Sequence, residues 1–443
     1  MSQNLLRRIS SIGVKSLFGM FDYELDVSAD GGGEQEKIVI LYGDNGSGKS
    51  TLLKLAFNMI APDQGSGHKT YLLNTEFQSL VVRFNDGTIV QAGRTKGNIS
   101  GPYSLKVKRS RKKQITAKVQ SNRAREHDDL HMLVEPALKE LGCALYLLSD
   151  DRAIHRAGAG IKRSSVRDER RYIEENGFLE SQGRLLSGNM PETPEDISKK
   201  LLESAIKLTE EWFRRRIFGS GSRGDSGVNE LYAKILKRLS ETGGDETKGT
   251  TKKQIESRIN KLSKESKNYS KYGLLSEFDS REILSILKGV DNQTYNVIVD
   301  VLSPYLDSIE TKNYAMEDIY ERIDTFVTVA GKFYTNKSLS YDLREGIRIT
   351  SSSGKVLEPS MLSSGERHLL LLFCTSIVTG GAPSILMIDE PEISLNIKWQ
   401  RMLIDALMQC IGDNDIQFIF STHSLEILAK HKSRVVKLEN TRG

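Results

Sequence analysis

The sequence predicts an α/β fold: a mixed sheet flanked by helices, assembled from both ends of the chain, with a helical, short coiled-coil insertion between the two ends. Three observations predict it. A β-branched run near the N-terminus ends in a glycine-rich turn. An apolar run near the C-terminus ends in two acidic residues. A second apolar run after it ends in Ser421-Thr422-His423.

The first element is the run 36–42, Glu-Lys-Ile-Val-Ile-Leu-Tyr, which reads as a buried strand. Gly43-Asp-Asn45-Gly46-Ser-Gly48-Lys49-Ser50-Thr51 follows and fits the P-loop pattern. Gly43, Gly46 and Gly48 allow a tight turn whose N–H groups point inward at phosphate oxygens. The segment 51–60 reads as a helix whose N-terminus favours an anion. In that frame Lys49 reaches the β- and γ-phosphates of ATP, and Ser50 ligates Mg2+. A ligand-free glycine turn is the competing reading, and the strand and helix flanks disfavour it.

The run 384–388 suits a central parallel strand, and Asp389 and Glu390 stand at its carboxyl end. Asp389 is the candidate magnesium ligand and Glu390 the candidate base for the attacking water. Acidic strand ends are common, so this element gains weight only from the strand 416–420 and its Ser-Thr-His423 end. A lone histidine is more often structural. In this setting His423 reads as a γ-phosphate sensor.

Taken together, these motifs resemble the ABC ATPase class. Leu362-Ser363-Ser364-Gly365-Glu366 is similar to the ABC signature, with Glu where many transporters have Gln. Ser394-Leu395-Asn396 resembles the D-loop, with Asn where Asp or His is more usual, and Gln78 is the candidate Q-loop glutamine and magnesium contact. The segment 12–26 resembles the strand pair that opens ATPases of the SMC, RecF and OLD class. The resemblance covers 1–100 and 338–443. It implies that Ser363 and Gly365, at the head of a helix over 368–379, close over nucleotide bound by another protomer. ATP would then join at least a head-to-tail dimer of identical chains.

Composition narrows the field. The chain has 443 residues, 38% of them hydrophobic, enough for a large core in two lobes. The most apolar stretch, 369–388, is interrupted by Gly380-Gly-Ala-Pro383, so no membrane span is expected. Residues 1–19 lack the continuous apolar core of a signal peptide. Cys143, Cys374 and Cys410 fall in apolar stretches, which suits a reducing cytoplasm, and the absence of Cys-x-x-Cys excludes a zinc-hook arm. With twenty residues after His423, a fused nuclease is not expected behind the core.

The expected organisation is an N-terminal half-core (1–100), a basic segment with a helix and strand (101–190), a helical arm (191–337) and a C-terminal half-core (338–443). Asp86-Gly87 predicts a hairpin between 80–85 and 88–91. The run 106–125 holds nine basic residues and no acidic ones. It reads either as a solvated β-edge or as a surface for DNA or an acidic protein imitating it. A helix over 128–141 and a strand over 144–148 lead to Asp150-Asp151-Arg152. Arg152 is either a surface residue or one placed near nucleotide or an interface. Further helices are expected over 198–218, 229–240, 252–269, 280–288, 295–306 and 314–330. Residues 220–227 and 242–251 form Gly/Ser/Thr-rich loops. The helix over 252–269 reads as an exposed arm with Ile255, Ile259 and Leu262 on one face. Met316, Ile319, Ile323, Phe326 and Ala330 step as in a coiled-coil seam.

Three purposes fit. The chain resembles anti-phage defence ATPases of the AriA type from PARIS systems and, less closely, of the PtuA type from Septu. That resemblance implies a separately encoded effector nuclease as partner and an acidic, DNA-mimicking phage protein as trigger. The second is a RecF-type repair ATPase stimulated by duplex DNA. A transporter subunit is the third, and the long insertion argues against it.

Overall fold

The computed structural model describes residues 7–28, 37–62, 67–109, 114–120, 130–158, 194–221, 252–289, 292–380, 383–412 and 414–442. The expected helix 229–240 and the loops around 222–227 and 242–251 lie outside them. The chain divides into two compact units, 1–205 with 363–443, and 206–362, so residues 338–362 fall with the insertion.

The first unit is built on two sheets. β1 (Ile9–Leu17) and β2 (Phe21–Asp26) form a hairpin at one edge of an antiparallel sheet. β3 (Ile38–Tyr42) leads through the glycine-rich turn into α1 (Lys49–Ile60), and α2 (His68–Asn74) follows. β4 (Ser79–Phe84), β5 (Ile89–Gly93), β6 (Tyr103–Lys108) and β7 (Ile115–Val119) complete the antiparallel sheet in the order β2-β1-β4-β5-β6-β7. Inward and outward residues alternate along β4 to β6, as a sheet with one buried face requires. A π-helical turn (Leu130–Val134) and α3 (Glu135–Lys139) stand where one helix over 128–141 was expected, and they lead to β8 (Ala144–Leu148) and β9 (Ile154–Gly158).

The second sheet has the order β15-β3-β14-β13-β8-β9, with β13 (Ser384–Asp389), β14 (Ile416–Thr422) and β15 (Val435–Lys437) from the C-terminal end of the chain. Every neighbouring pair is parallel except β8 with β9. All six residues of β13 and all seven of β14 are buried, which is why both strands read as unbroken apolar runs. The register pairs Tyr42 with Thr422 and Asp389 with Ser421, so the three motif-bearing strands finish side by side. α1 packs into a core shared by both sheets, with Leu52, Leu53, Ala56 and Phe57 among Val82, Val90, Leu105, Met387 and Ile419. Buried Gln417 on β14 ties the sheets by polar means. Its amide exchanges two 2.8 Å hydrogen bonds with the main chain of Ile9 on β1.

α4 (Pro194–Gly221) runs across the boundary between units, and the second unit continues with α5 (Lys252–Ser270), α6 (Arg281–Gly289) and α7 (Asn292–Gly331). α7 is one helix of 40 residues where two were expected, and Pro304 lies inside it. The polar stretch between the two expected helices is held by α5. Arg258 donates to Asp307 and Glu310 at 2.6 and 2.8 Å, and Asn313 donates to Glu265 at 3.1 Å. α5 is no exposed arm. Ile255, Ile259 and Leu262 are buried with Leu287, Tyr295 and Leu306. The seam Met316, Ile319, Ile323, Phe326 and Ala330 is buried throughout. A small antiparallel sheet, β10 (Lys337–Asp342), β11 (Gly346–Ser351) and β12 (Val356–Leu357), closes this unit.

The first unit also holds α8 (Ser364–Thr379), α9 (Ile397–Ile411) and α10 (Leu425–Lys430). Cys143, Cys374 and Cys410 are buried and form no disulfide. Among the described residues no helix is long and apolar enough to cross a membrane.

Candidate active site

The site forms where β3, β14 and β13 end together. Parallel strands in this order place three loops from distant parts of the chain along one sheet edge. The glycine-rich turn is anchored from outside by the Tyr23 hydroxyl on β2, which donates to Ser47 O at 2.8 Å. Gly48 caps α1 with φ at 82°, and a Cβ there would lie 3.0 Å from the Leu17 side chain, so both conformation and space require glycine. Gly43 is buried, whereas Asn45 and Gly46 are exposed at the tip of the turn.

Lys49 is 4% exposed, and its Nζ donates to Gly43 O at 2.8 Å and Asp44 O at 3.0 Å, with Glu390 Oε1 4.0 Å away. Ser50 Oγ donates to Asp389 Oδ1 at 3.0 Å, and Ser421 Oγ donates to the same oxygen. Thr51 occupies the next position of the same helical turn. The other Asp389 oxygen, Oδ2, is buried and makes no hydrogen bond. Burial raises the Asp389 pKa, and the two hydroxyls only partly offset it. A buried carboxylate oxygen without a donor, beside a serine hydroxyl at a phosphate loop, fits Mg2+, a hard cation that takes few protein ligands.

Glu390 adopts φ 49°, and its N–H donates to Ser421 O at 2.8 Å, which fixes the turn off β13 against β14. Its Oε2 lies 2.5 Å from His423 Nδ1. Burial and then the neighbouring Glu392 carboxylate push Glu390 up to about 7, and His423 opposes them. A carboxylate poised near neutrality suits a general base. Nδ1 is thus the ring nitrogen of His423 that Glu390 engages.

The signature segment starts earlier than expected. Ser363 is the N-cap of α8 in a full capping box: its Oγ accepts from Glu366 N at 3.3 Å, and Glu366 Oε2 accepts from Ser363 N at 2.8 Å. The glutamate that departs from the usual signature therefore has a local task. Gly365 packs on the D-loop, where an added Cβ would meet Ser394 O at 2.5 Å. Asn396, the other departure, caps α9 by accepting from Trp399 N at 3.0 Å. Arg152, with φ at 67°, donates to Ser394 Oγ at 3.0 Å, which sets it at the D-loop. His368 Nε2 meets Pro391 O at 3.1 Å, and burial holds its pKa down at about 4.

Gln78 is held by its main chain. Its main chain bonds Lys15 O at 2.8 Å and Arg94 N at 2.9 Å, at the entry to β4. Among the described residues no hydrogen bond joins it to Ser50, Asp389 or Glu390. The strand beside β13 is β8, so the segment nearest Asp389 and Glu390, the Walker B position at the end of β13, is 149–152 on that side. There Asp150 pairs with Lys54 of α1 at 2.8 Å.

Sequence reasoning passed over Glu392. It is 5% exposed, and its Oε1 accepts from Thr422 Oγ1, His423 N and Ser424 N, the last two at 3.0 Å. The available signal was a second acid two residues after Glu390, in a segment otherwise fit for burial.

The basic run lies on the β6–β7 hairpin at the sheet edge. Lys106, Lys108 and Lys118 share the outward face, opposite buried Leu105, Val107 and Ala117. Arg109 pairs with Glu140. Residues 110–113 and 121–125 of the run lie outside the described residues.

Comparison with known proteins agrees with this geometry. A model described as ABC transporter matches residues 31–134, and an AAA-domain model named for AbiEii of the Type IV TA system matches 247–429. The ABC transporter ATP-binding protein YejF of Escherichia coli is 30% identical over 84 residues, 19% of this chain and 15% of that protein. The lipoprotein-releasing system ATP-binding protein LolD of Ruegeria pomeroyi is 32% identical over 84 residues, 19% of this chain and 35% of LolD. The chain thus matches well under half the length of these relatives. An Smc head domain from Pyrococcus furiosus aligns over 97% of this chain and 95% of that one at 14% identity and TM-score 0.39, too low to support a detailed likeness. Motif order, strand register and the matched models together show that the chain carries an ABC-type ATP-binding domain assembled from its two ends.

Proposed function

We propose that the protein hydrolyses ATP, with nucleotide held between two copies of the chain, and uses the cycle to switch a partner. The observation that carries the reading is the convergence of Ser50 on Asp389 at 3.0 Å and His423 on Glu390 at 2.5 Å, beside the buried Lys49 ammonium. Backbone N–H groups of 43–51 and Lys49 cradle the phosphates. Mg2+, held by Ser50 and Asp389, would neutralise charge on the β- and γ-phosphates. Gln78 remains a proposed further contact. Glu390 takes a proton from water as its oxygen bonds to the γ-phosphorus, the bond to the β-γ bridging oxygen breaks and ADP leaves. His423 holds a γ-phosphate oxygen. Ser363 and Gly365 would cover nucleotide on the second copy, with the α8 N-terminus adding favourable dipole.

For the purpose of the cycle, the anti-phage reading is supported by the basic outward face of the β6–β7 hairpin and by the match to a model named for a Type IV TA system. A separately encoded effector nuclease would be released or activated when an acidic phage protein docks. The same face supports the alternative, a repair ATPase driven by duplex DNA.

The test is ATP turnover by the purified chain and by Glu390→Gln, with and without duplex DNA, at low and physiological salt. The variant should keep ATP binding and lose roughly 100-fold or more in rate. Wild-type turnover in the variant would remove Glu390 as base. Strong stimulation by DNA at low salt would favour repair, and indifference to DNA would favour the defence switch.

A further inference from the structure

The segment 390–396 is a hub. Signature helix α8 reaches it through His368 on Pro391 O and Gly365 against Ser394 O, and Arg152 reaches it through Ser394 Oγ. The sensor loop reaches it through the His423 ring on Glu390 and through Glu392, which gathers one hydroxyl and two consecutive backbone N–H groups on one oxygen. We propose that Glu392 is the positioning residue for the sensor histidine: it locks residues 422–424 to the Walker B turn so that the His423 ring stays on Glu390.

The geometry separates this role from two others. Glu390, Glu392 and His423 bring ligand-type atoms within 4.8 Å of one another, the spacing of a cation site. Glu392 Oε2 is buried without a hydrogen bond, but Oε1, the oxygen 3.5 Å from His423 Nδ1, is taken by three donors, so the oxygen nearest the ring is placed to orient it rather than to share a cation with it. Nor does Glu392 stand as the water-activating group. It is 5% exposed and held by the loop donors, whereas Glu390 is more open and lies 4.0 Å from Lys49 Nζ. Burying a carboxylate is costly unless it is hydrogen-bonded, and at Glu392 the compensation comes from the three donors on Oε1. One hydroxyl and two backbone N–H bonds from the three consecutive residues 422–424 leave that loop little freedom, and the His423 ring hangs from its middle residue.

The inference rests on the proposed hydrolysis for its kinetic readout, and a second readout is independent of turnover. In Glu392→Ala, ATP affinity should stay within about threefold while kcat falls about tenfold or more. Glu392→Gln, which keeps an acceptor oxygen, should recover most of the rate. Thr422→Val removes one donor at constant volume and should give a smaller loss of the same kind. In a His423→Ala background neither Glu392→Ala nor Thr422→Val should slow turnover further, because a residue acting through His423 has nothing left to position. Amide hydrogen exchange of the full chain should show faster exchange at His423 and Ser424 in Glu392→Ala. If wild-type chain shows no turnover, the hydrolysis reading fails, and exchange at these two amides still decides the positioning role. Unchanged exchange, a wild-type rate in Glu392→Ala, or losses that multiply with His423→Ala would overturn it. Should Glu392→Ala not fold, Thr422→Val carries the same comparisons.

Discussion

Replacing Gly365 by alanine opposes two effects of known size. Within a helix, alanine is favoured over glycine by about 0.5–1 kcal/mol because it restricts the unfolded chain. At Gly365 the new Cβ would lie 2.5 Å from Ser394 O and 3.3 Å from Trp399 Cζ3. The first neighbour is backbone in a left-handed D-loop residue, with φ at 66°, so it has little room to retreat. Overpacking of this kind costs about 1–3 kcal/mol. The clash exceeds the helix gain, and Gly365→Ala should be destabilised by roughly 1–2 kcal/mol. Gly219, exposed in α4, is the internal control, since a Cβ there meets nothing within 4 Å. Gly219→Ala should be stabilised by roughly 0.5 kcal/mol or more. Denaturant midpoints of both variants and of wild type in one buffer give the comparison, with ATP turnover measured alongside. Midpoints should move in opposite directions, and only Gly365→Ala should lose turnover, because its D-loop is displaced. The reasoning is refuted if Gly365→Ala is as stable as Gly219→Ala.

Three further outcomes are expected. Glu390 is raised from 4.5 to about 7 by burial and by Glu392, so between those values the folded state holds a proton the unfolded state has lost. Its ionisation therefore destabilises the fold progressively as pH rises through that window. Glu390→Gln should then gain stability over wild type at pH 8 and none at pH 4, and a gain independent of pH in denaturation midpoints would contradict this. Asp389→Asn removes the carboxylate whose Oδ2 makes no hydrogen bond, so magnesium should no longer strengthen nucleotide binding, as titration of Mg2+ at fixed ATP would show. Reversing the charges of Lys106, Lys108 and Lys118 together should weaken binding of duplex DNA or of an acidic protein without changing basal turnover. Unaltered binding of both would leave that face as solvated sheet edge.

Residue order along the chain was enough to determine the nucleotide-binding class and which residues meet at the candidate site. Short-range rules make that possible. A P-loop is a local turn whose glycines, lysine and hydroxyl act within nine residues, and a strand buried on both faces must be an apolar run whatever its neighbours are. Hence β3, α1, β13 and β14, and with them Lys49, Ser50, Asp389, Glu390 and His423, were legible in advance. Only the tertiary structure decided what depends on contacts between distant segments. Residues 295–330 could not be read as one helix, because Pro304 and the polar stretch after it are reconciled by Arg258 and Glu265 on another helix. The amphipathic face of α5 was visible, but its burial needed a partner that sequence does not name. Glu392 looked like one more surface acid. Its meaning comes from strand register, which sets residues 389 and 421 side by side and so brings three donors of the next loop onto one carboxylate oxygen.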